Sequence, residues 1–238
     1  MMNMHTFYTP DIEGRNYTLS AEESKHAVKV LRLKEGDAVE LVDGKGGYYN
    51  CRIKIAAIKA CMVEVVGKIE NHACRDFRLH IAMAPVKNME RTEWMMEKCT
   101  EIGMETFTPV RTERSERDAV KTERLLRVAV AALKQSHKAL LPEINPMVSF
   151  EEFIENVSEE QRFIAYCGRG EKKGLFKLCR PGEDTVVLIG PEGDFSSEEV
   201  DKAVRKGFIP VSLGNSVLRT ETAAVVACHT VGLVNEKR

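Results

Sequence analysis

From Phe77 onward the chain repeats one rhythm, an apolar run of strand length followed by a helix-patterned stretch, and this restricts the fold more than any other feature. Such alternation closes as a parallel sheet covered by helices, because consecutive parallel strands need a long crossover to return to the same end. FRLHIAMA (77–84) reads as the first strand, ERTEWMMEKCTEIG (90–103) as a helix with Met95, Cys99 and Ile102 on one face, and TFTPV (106–110) as the next strand. A longer helix is expected over 118–138. RFIAYC, TVVLIG and FIPVSLG follow as three more strands, and the unbroken apolar TVVLIG (185–190) suits a central strand buried on both faces. A last helix is expected over 221–234.

Residues 1–72 carry a different signal. In YYNCRIKI the apolar Tyr49, Cys51, Ile53 and Ile55 alternate with Asn50, Arg52 and Lys54, the period of a strand with one buried face. Asp43-Gly44 and Gly46-Gly47 separate it from VELV (39–42), which predicts a hairpin or a slightly longer looped pair, and a further strand is expected near Met62–Val66. Ser20 and Glu23 have capping-box spacing, placing a short helix across SKHAVKVLRL. A length of 238 residues suits two domains, divided here as 1–72 and 73–238 with a short linker around Asn71–Arg75.

Several function classes lack their signatures. The seven cysteines form no CxxC pair and have no histidine at ligand spacing, so neither a zinc site nor a disulfide framework is expected, and no metal is required. There is no apolar stretch of signal-peptide or membrane-span character, so the protein is expected to stay in the cytoplasm. Neither GxGxxG nor GxxxxGK[ST] occurs, which demotes dinucleotide and nucleoside triphosphate enzymes. His26, His72, His80, His137 and His229 have no evident Ser, Cys or carboxylate partner at motif spacing, so hydrolytic triads gain no support. Trp94, Met95 and Met96 read as core. The net charge of −1 conceals a basic stretch: residues 111–138 hold eight Lys/Arg against four acids. That excess suits an RNA backbone, although it also fits a solvated helix face.

The chemistry is expected in three loops that follow the last three strands: CGRG (167–170), GPEGDF (190–195) and LGNSVLRTETA (213–223). Open α/β sheets bind ligands beyond their C-terminal strand ends. Gly168, Gly190, Gly193 and Gly214 would let backbone groups approach a ligand, though strand-to-helix turns also need glycine on their own account. Ser196, Glu199, Phe195 and Val200 form a helix-start pattern and read as structural. Thr220 fits a helix cap and Glu221 a favourable charge beside the helix dipole.

IGPEGDFS followed by VSLGNSVLRTETAA closely resembles the SPOUT superfamily, specifically the bacterial 16S rRNA uracil-N3 methyltransferase family. HAVKVLRLKEGD (26–37) resembles that family's N-terminal PUA-like RNA-binding β-barrel, and KNMERTEWMMEKCTEIG (87–103) its first catalytic-domain helix. The resemblance implies an α/β SPOUT domain with a parallel sheet and a deep C-terminal trefoil knot. It also implies S-adenosylmethionine bound in a bent pose and a homodimer formed through the knot. Cofactor contacts would come from Cys167, Gly168, Leu188, Ile189, Gly190, Pro191, Glu192, Gly193, Leu213, Gly214, Val217, Leu218 and Thr220. Two departures stand out. Lys134-Gln135-Ser136-His137-Lys138 replaces the family's Glu-Gln-Ser-Gly-Arg, and Gly214-Asn215-Ser216 replaces Gly-Pro-Arg.

The implied reaction removes or delocalises the uracil N3 proton as the nucleophile meets the sulfonium methyl, so positioning and charge stabilisation dominate. Arg219 is expected to stabilise the uracil anion and Glu221 to accept the proton, directly or through water. Lys29, Arg32, Arg52, Lys54, Arg111, Arg114, Gln135 and Lys138 are expected to hold 16S rRNA within the small subunit. N3 lies on the Watson–Crick edge, so the target base must be unpaired or flipped out. The rivals are a ribose 2′-O-methyltransferase sharing the same loops and a ribosome-assembly RNA-binding protein without catalysis.

Overall fold

The computed structural model describes residues 4–168 and 170–236. Two compact units emerge: Met1–Cys74 with Leu133–Leu141, and Arg75–Ala132 with Pro142–Arg238.

In the first unit β1 (Thr6–Tyr8), β2 (Asn16–Thr18), β3 (Ala38–Val42), β4 (Tyr48–Ile55) and β5 (Met62–Ile69) form one sheet in the order β1-β3-β4-β5-β2. The expected β3–β4 hairpin is present, antiparallel, with Val39 opposite Cys51. Leu41, Tyr49, Cys51, Ile53 and Val63 share a core while Arg52 and Lys54 face outward. Ile55 breaks the expected alternation and is 44% exposed, because the β4–β5 register shifts between Ile53 and Ile55.

Ser20 caps α1 (Ala21–Lys25) by accepting the Glu23 N–H at 3.2 Å. The capping box is only half made, since Glu23 instead pairs with Lys134 Nζ at 2.6 Å. The backbone then widens into one π-helical turn over His26–Val30 and leaves it through Arg32, a non-glycine residue at φ +56°.

The segment Leu133–Leu141 joins this unit through contacts that no local pattern announces, such as Gly46 N–H to Ala139 O at 2.9 Å. His137 has a φ of +52°, in the left-handed region that favours glycine. Its ring Nδ1 lies 2.9 Å from Glu40 Oε2 and 3.1 Å from Thr6 Oγ1. Burial alone raises the Glu40 pKa, but hydrogen bonds from Tyr48, His137 and Thr6 outweigh it and bring the carboxyl below its ordinary range.

The second unit is built on a wholly parallel sheet. Its strands are β6 (Leu79–Met83), β7 (Thr106–Arg111), β8 (Glu143–Ile144), β10 (Gln161–Ala165), β11 (Lys173–Gly174), β12 (Thr185–Ile189) and β13 (Ile209–Ser212), with β9 (Val148–Ser149) on β7. The order is β11-β13-β10-β12-β6-β7-β8, so TVVLIG lies between two parallel partners as its composition predicts. One face packs against α4 (Phe150–Asn156) and α6 (Ser197–Arg205), through Phe150, Phe153 and Ala203. The remaining helices are α2 (Met89–Ile102), α3 (Thr122–Gln135), α5 (Leu175–Leu178) and α7 (Thr220–Asn235), and α7 packs on α2, β12 and β6. Leu125, Ala129, Ala132 and Leu133 are the buried stripe of α3, which stops short of the expected 118–138 just before His137 turns left-handed.

Met95 and Met96 are fully buried as expected, whereas Trp94 is 43% exposed on the opposite side of α2. The Ser196–Glu199 capping box is complete. Among the described residues no helix is long and apolar enough to cross a membrane.

Candidate functional site

Three loops leave the C-terminal ends of β10, β12 and β13, which lie side by side because β10 pairs with both of the others. They enclose a cavity of about 560 Å³, within the range of small-molecule sites. Of the residues singled out from sequence, Cys167, Ile189, Gly190, Pro191, Glu192, Leu213, Gly214, Val217, Leu218, Arg219 and Thr220 line it. Cys167 and Thr220, 53 positions apart in the chain, are thus brought together by strand pairing.

Four expected residues do not line the cavity. Leu188 faces the opposite side of β12, fully buried against the α4 and α6 core, because side chains alternate along a strand and only Ile189 reaches the pocket. Gly168 is packed on Tyr166, whose ring would lie 2.5 Å from a Cβ there. Gly193 points outward, its carbonyl accepting from Arg114 Nη1 at 2.8 Å. Glu221 is buried on the α2 side of α7, with Arg91 Nε 3.7 Å away. Arg169 of the CGRG loop lies outside the described residues.

Two glycines are explained by the chain itself. Gly214 has φ +134°, a region closed to side-chain-bearing residues, and a Cβ on Gly190 would stand 3.0 Å from the Phe195 ring.

Sequence reasoning missed Tyr166, Lys172, Val211 and Ser212, and did not single out Asp194 or Ala223 within the loops it named; all six line the cavity. Asp194 is the least expected. Held at φ +60°, it accepts the Cys167 N–H on Oδ2 and the Phe195 N–H on Oδ1, each at 2.9 Å, so one carboxylate ties the first loop to the second. Lys172 donates to Gly168 O and lies 4.2 Å from the Tyr166 ring centroid. Helix α7 opens onto the cavity through Thr220, and its N-cap Arg219 provides no side-chain bond to the first turn. Thr220 is therefore the first helical residue rather than the expected cap, and unsatisfied N–H groups with a positive pole stand at the cavity edge.

The residues expected to grip RNA are exposed, except for the half-buried Lys138, but several are already engaged. Arg52 donates to Gly36 O at 3.0 Å, Lys54 to Asn16 Oδ1 at 3.2 Å, and Arg111 lies 4.0 Å from Asp118. Lys29, Arg32 and Gln135 carry their polar groups at the surface of the first unit.

A second cavity, about 650 Å³, opens at the N-terminal strand ends around His80. No carboxylate stands at motif spacing from His80, yet its Nδ1 lies 2.5 Å from Glu159 Oε1 and its Nε2 2.8 Å from Thr108 Oγ1. A separation of 79 residues hides that pair from any sequence motif. Burial opposes the Glu159 charge, but the His80 bond and charge and local backbone N–H groups overcome it, holding the carboxyl below its ordinary range.

Residues 74–232 match the model of an RNA methyltransferase domain, and residues 19–64 that of an RNA methyltransferase PUA domain. The ribosomal RNA small subunit methyltransferase E of Aquifex aeolicus is 30% identical over 93% of this chain and 96% of its own. The chain belongs to the ribosomal RNA small subunit methyltransferase E family. The family member from Synechocystis is also 30% identical, over 92% of this chain and 73% of its own. Among solved structures, a probable rRNA-methyltransferase from Porphyromonas gingivalis superposes with a TM-score of 0.91 at 41% identity, covering 98% of each chain. A structure from Legionella pneumophila, solved as a methyltransferase in complex with the bound cofactor SAM, superposes at 0.86 with 28% identity, covering 98% of this chain and 99% of its own.

Proposed function

We propose that this protein transfers the methyl group of S-adenosylmethionine to N3 of a uridine in 16S rRNA of the small ribosomal subunit. The observation that carries it is the cavity at the ends of β10, β12 and β13, closed by the two loops that hold the family's motifs. Its size suits the cofactor, and its walls match the cofactor's parts. Val211, Leu213, Leu218 and Ala223 offer an apolar bed for the purine, Glu192 and Asp194 offer negative charge to the sulfonium and amine, and the uncapped start of α7 suits the carboxylate. When bound, the cofactor supplies an electrophilic methyl group.

The chain's own contribution is orientation and charge. Arg219, exposed at the cavity wall, stabilises the negative charge that spreads onto the uracil oxygens as N3 loses its proton. Of the two lining carboxylates, Asp194 has both oxygens engaged by backbone N–H groups. Glu192 has one engaged, by Lys87 N–H at 3.2 Å, and its other oxygen accepts the proton directly or through water. The first unit grips rRNA through Lys29 and Arg32, whose left-handed backbone after a π turn is the kind of strain kept where function requires it. Arg114 serves the second loop as a brace for Gly193 as well as facing solvent.

The strand order supports a trefoil knot: the chain passes from β12 beyond β10 to β13, then returns in α7 beneath β12 and β6. Val217, 85% exposed at the cavity mouth, supports a homodimer that covers this edge.

The test is to incubate the protein and labelled S-adenosylmethionine with small subunits from a strain lacking the enzyme, then identify the labelled nucleoside by mass spectrometry. Label in 3-methyluridine is expected. Label in a ribose-methylated nucleoside would overturn the N3 assignment, and no label on any small-subunit RNA would overturn the substrate. Arg219→Ala is expected to lower kcat by about 10²–10³ while cofactor affinity holds.

A further inference from the structure

Glu221, in the first turn of the helix that opens onto the cavity, is a buried carboxylate that the proposed reaction does not use. It is 5% exposed, among the described residues its Oε2 has no hydrogen-bond partner, and Arg91 Nε, 3.7 Å from Oε1, is its cationic neighbour. Burying a carboxylate without hydrogen bonds is costly, so a side chain kept in that condition calls for a role.

The surrounding register says what the pair is attached to. Helices α2 and α7 run along each other with Arg91 beside Glu221, Cys228 Sγ 3.8 Å from Cys99 O, and Gly232 against Ile102. Glu221 and Arg91 form the end of this seam nearest the cavity, since Thr220 lines the cavity and Lys87 N–H bonds the cavity wall at Glu192. The neighbouring cations are occupied: Lys87 pairs with Glu116 at 3.0 Å, Arg117 donates to Lys87 O at 2.8 Å, and Arg124 holds Glu93 at 3.0 Å. The Arg91 side chain is 41% exposed, and among the described residues its Nη atoms make no hydrogen bond.

We propose that Arg91 binds a backbone phosphate of the rRNA strand carrying the target base, and that Glu221 is its positioning residue. At 3.7 Å the contact is ionic rather than a hydrogen bond, so it aims the guanidinium while leaving the Nη donors available. A planar fork held by one edge and open at the other is matched to two phosphate oxygens. This assignment rests on the proposed rRNA methyl transfer, and it removes Glu221 from the role of proton acceptor.

The experiment compares wild type, Arg91→Ala, Arg91→Lys, Glu221→Gln and the Arg91→Ala/Glu221→Gln double variant. Each is measured for rRNA affinity across salt concentrations, cofactor affinity by calorimetry, and kcat and KM for small subunits. Arg91→Ala is expected to weaken rRNA binding about tenfold, the equivalent of one charge-assisted contact. It should also flatten the slope of log affinity against log salt by about 0.7–0.9, the loss of one phosphate contact. Cofactor affinity should hold, and Arg91→Lys should recover part of the binding. Glu221→Gln should raise KM for rRNA in the wild-type background and add nothing to Arg91→Ala. An unchanged salt slope in Arg91→Ala overturns the phosphate contact. A fall in kcat at saturating rRNA when Glu221→Gln is added to Arg91→Ala overturns the positioning role and restores the proton acceptor. Equal loss of cofactor and rRNA affinity reduces the seam to packing. If wild type itself labels no rRNA, the proposed function fails, a result separable from the behaviour of Arg91.

Discussion

Replacing Glu199 by glutamine is a one-atom change that should loosen the loop between β12 and α6. The carboxylate is 4% exposed and serves two segments at once. Its Oε2 accepts the Ser196 N–H at 2.9 Å, completing the α6 capping box, and its Oε1 accepts the Glu113 N–H at 2.8 Å from the loop after β7. Glutamine keeps the shape but carries one acceptor oxygen, so its NH₂ must face one of the two backbone donors. A charge-assisted bond is worth about 1.5–3 kcal/mol and a stranded buried N–H costs about 1–3 kcal/mol, effects that overlap. The expected destabilisation is therefore about 3 kcal/mol, a large share of a typical domain's ~5–15 kcal/mol. With a urea dependence of about 1–3 kcal/mol per molar, the midpoint should fall by roughly 1–3 M. Trp94 is the chain's single tryptophan and lies in the second unit, so its fluorescence during urea titration follows the unit that contains Glu199. Ser196→Ala, which removes the 3.3 Å bond from Glu199 N–H to Ser196 Oγ, serves as the milder control at about 1 kcal/mol. A Glu199→Gln midpoint no lower than that of Ser196→Ala would refute the two-donor account.

Three further outcomes follow from individual contacts. Because the Glu159 pKa is lowered in the folded state, its contribution to stability is fully present above the ordinary Glu value of about 4.3 and disappears as pH falls through the lowered value. The stability gap between wild type and His80→Gln in urea titrations should therefore narrow below about pH 4; a gap constant from pH 7 to 3 would contradict the pairing. At His137, alanine loses the Glu40 bond and keeps the left-handed strain, whereas glycine loses the bond but relieves about 1 kcal/mol of strain. Thermal unfolding should thus rank wild type above His137→Gly and His137→Gly above His137→Ala. At φ +134°, Gly214→Ala forces a strain of about 1–3 kcal/mol into the third loop, and calorimetry should show S-adenosylmethionine affinity falling at least several-fold.

Much of the scaffold was legible because it rests on periodicity. The uninterrupted TVVLIG became the central parallel strand, YYNCRIKI became β4 over the same residues, and the Ser196–Glu199 spacing became a complete capping box. Strands of two or three residues, such as β8, β9 and β11, are shorter than one period and left no trace. The motif loops do close round one cavity, yet strand alternation sent Leu188 away from it. Asp194, read only as part of a glycine-rich turn, proved to be the tie between two loops.

Local composition thus determined the parallel sheet, the hairpin, the helix caps and the loops that line the cavity, since each depends on residues within a few positions of one another. The tertiary structure decided the rest: Glu40 with His137, Glu159 with His80, Arg114 with Gly193, and Arg91 with Glu221. In each pair the partners are tens of residues or more apart, and the sign and value of an electrostatic contact depend on distance and burial. Neither quantity exists until the sheet and its helices have brought the two side chains together.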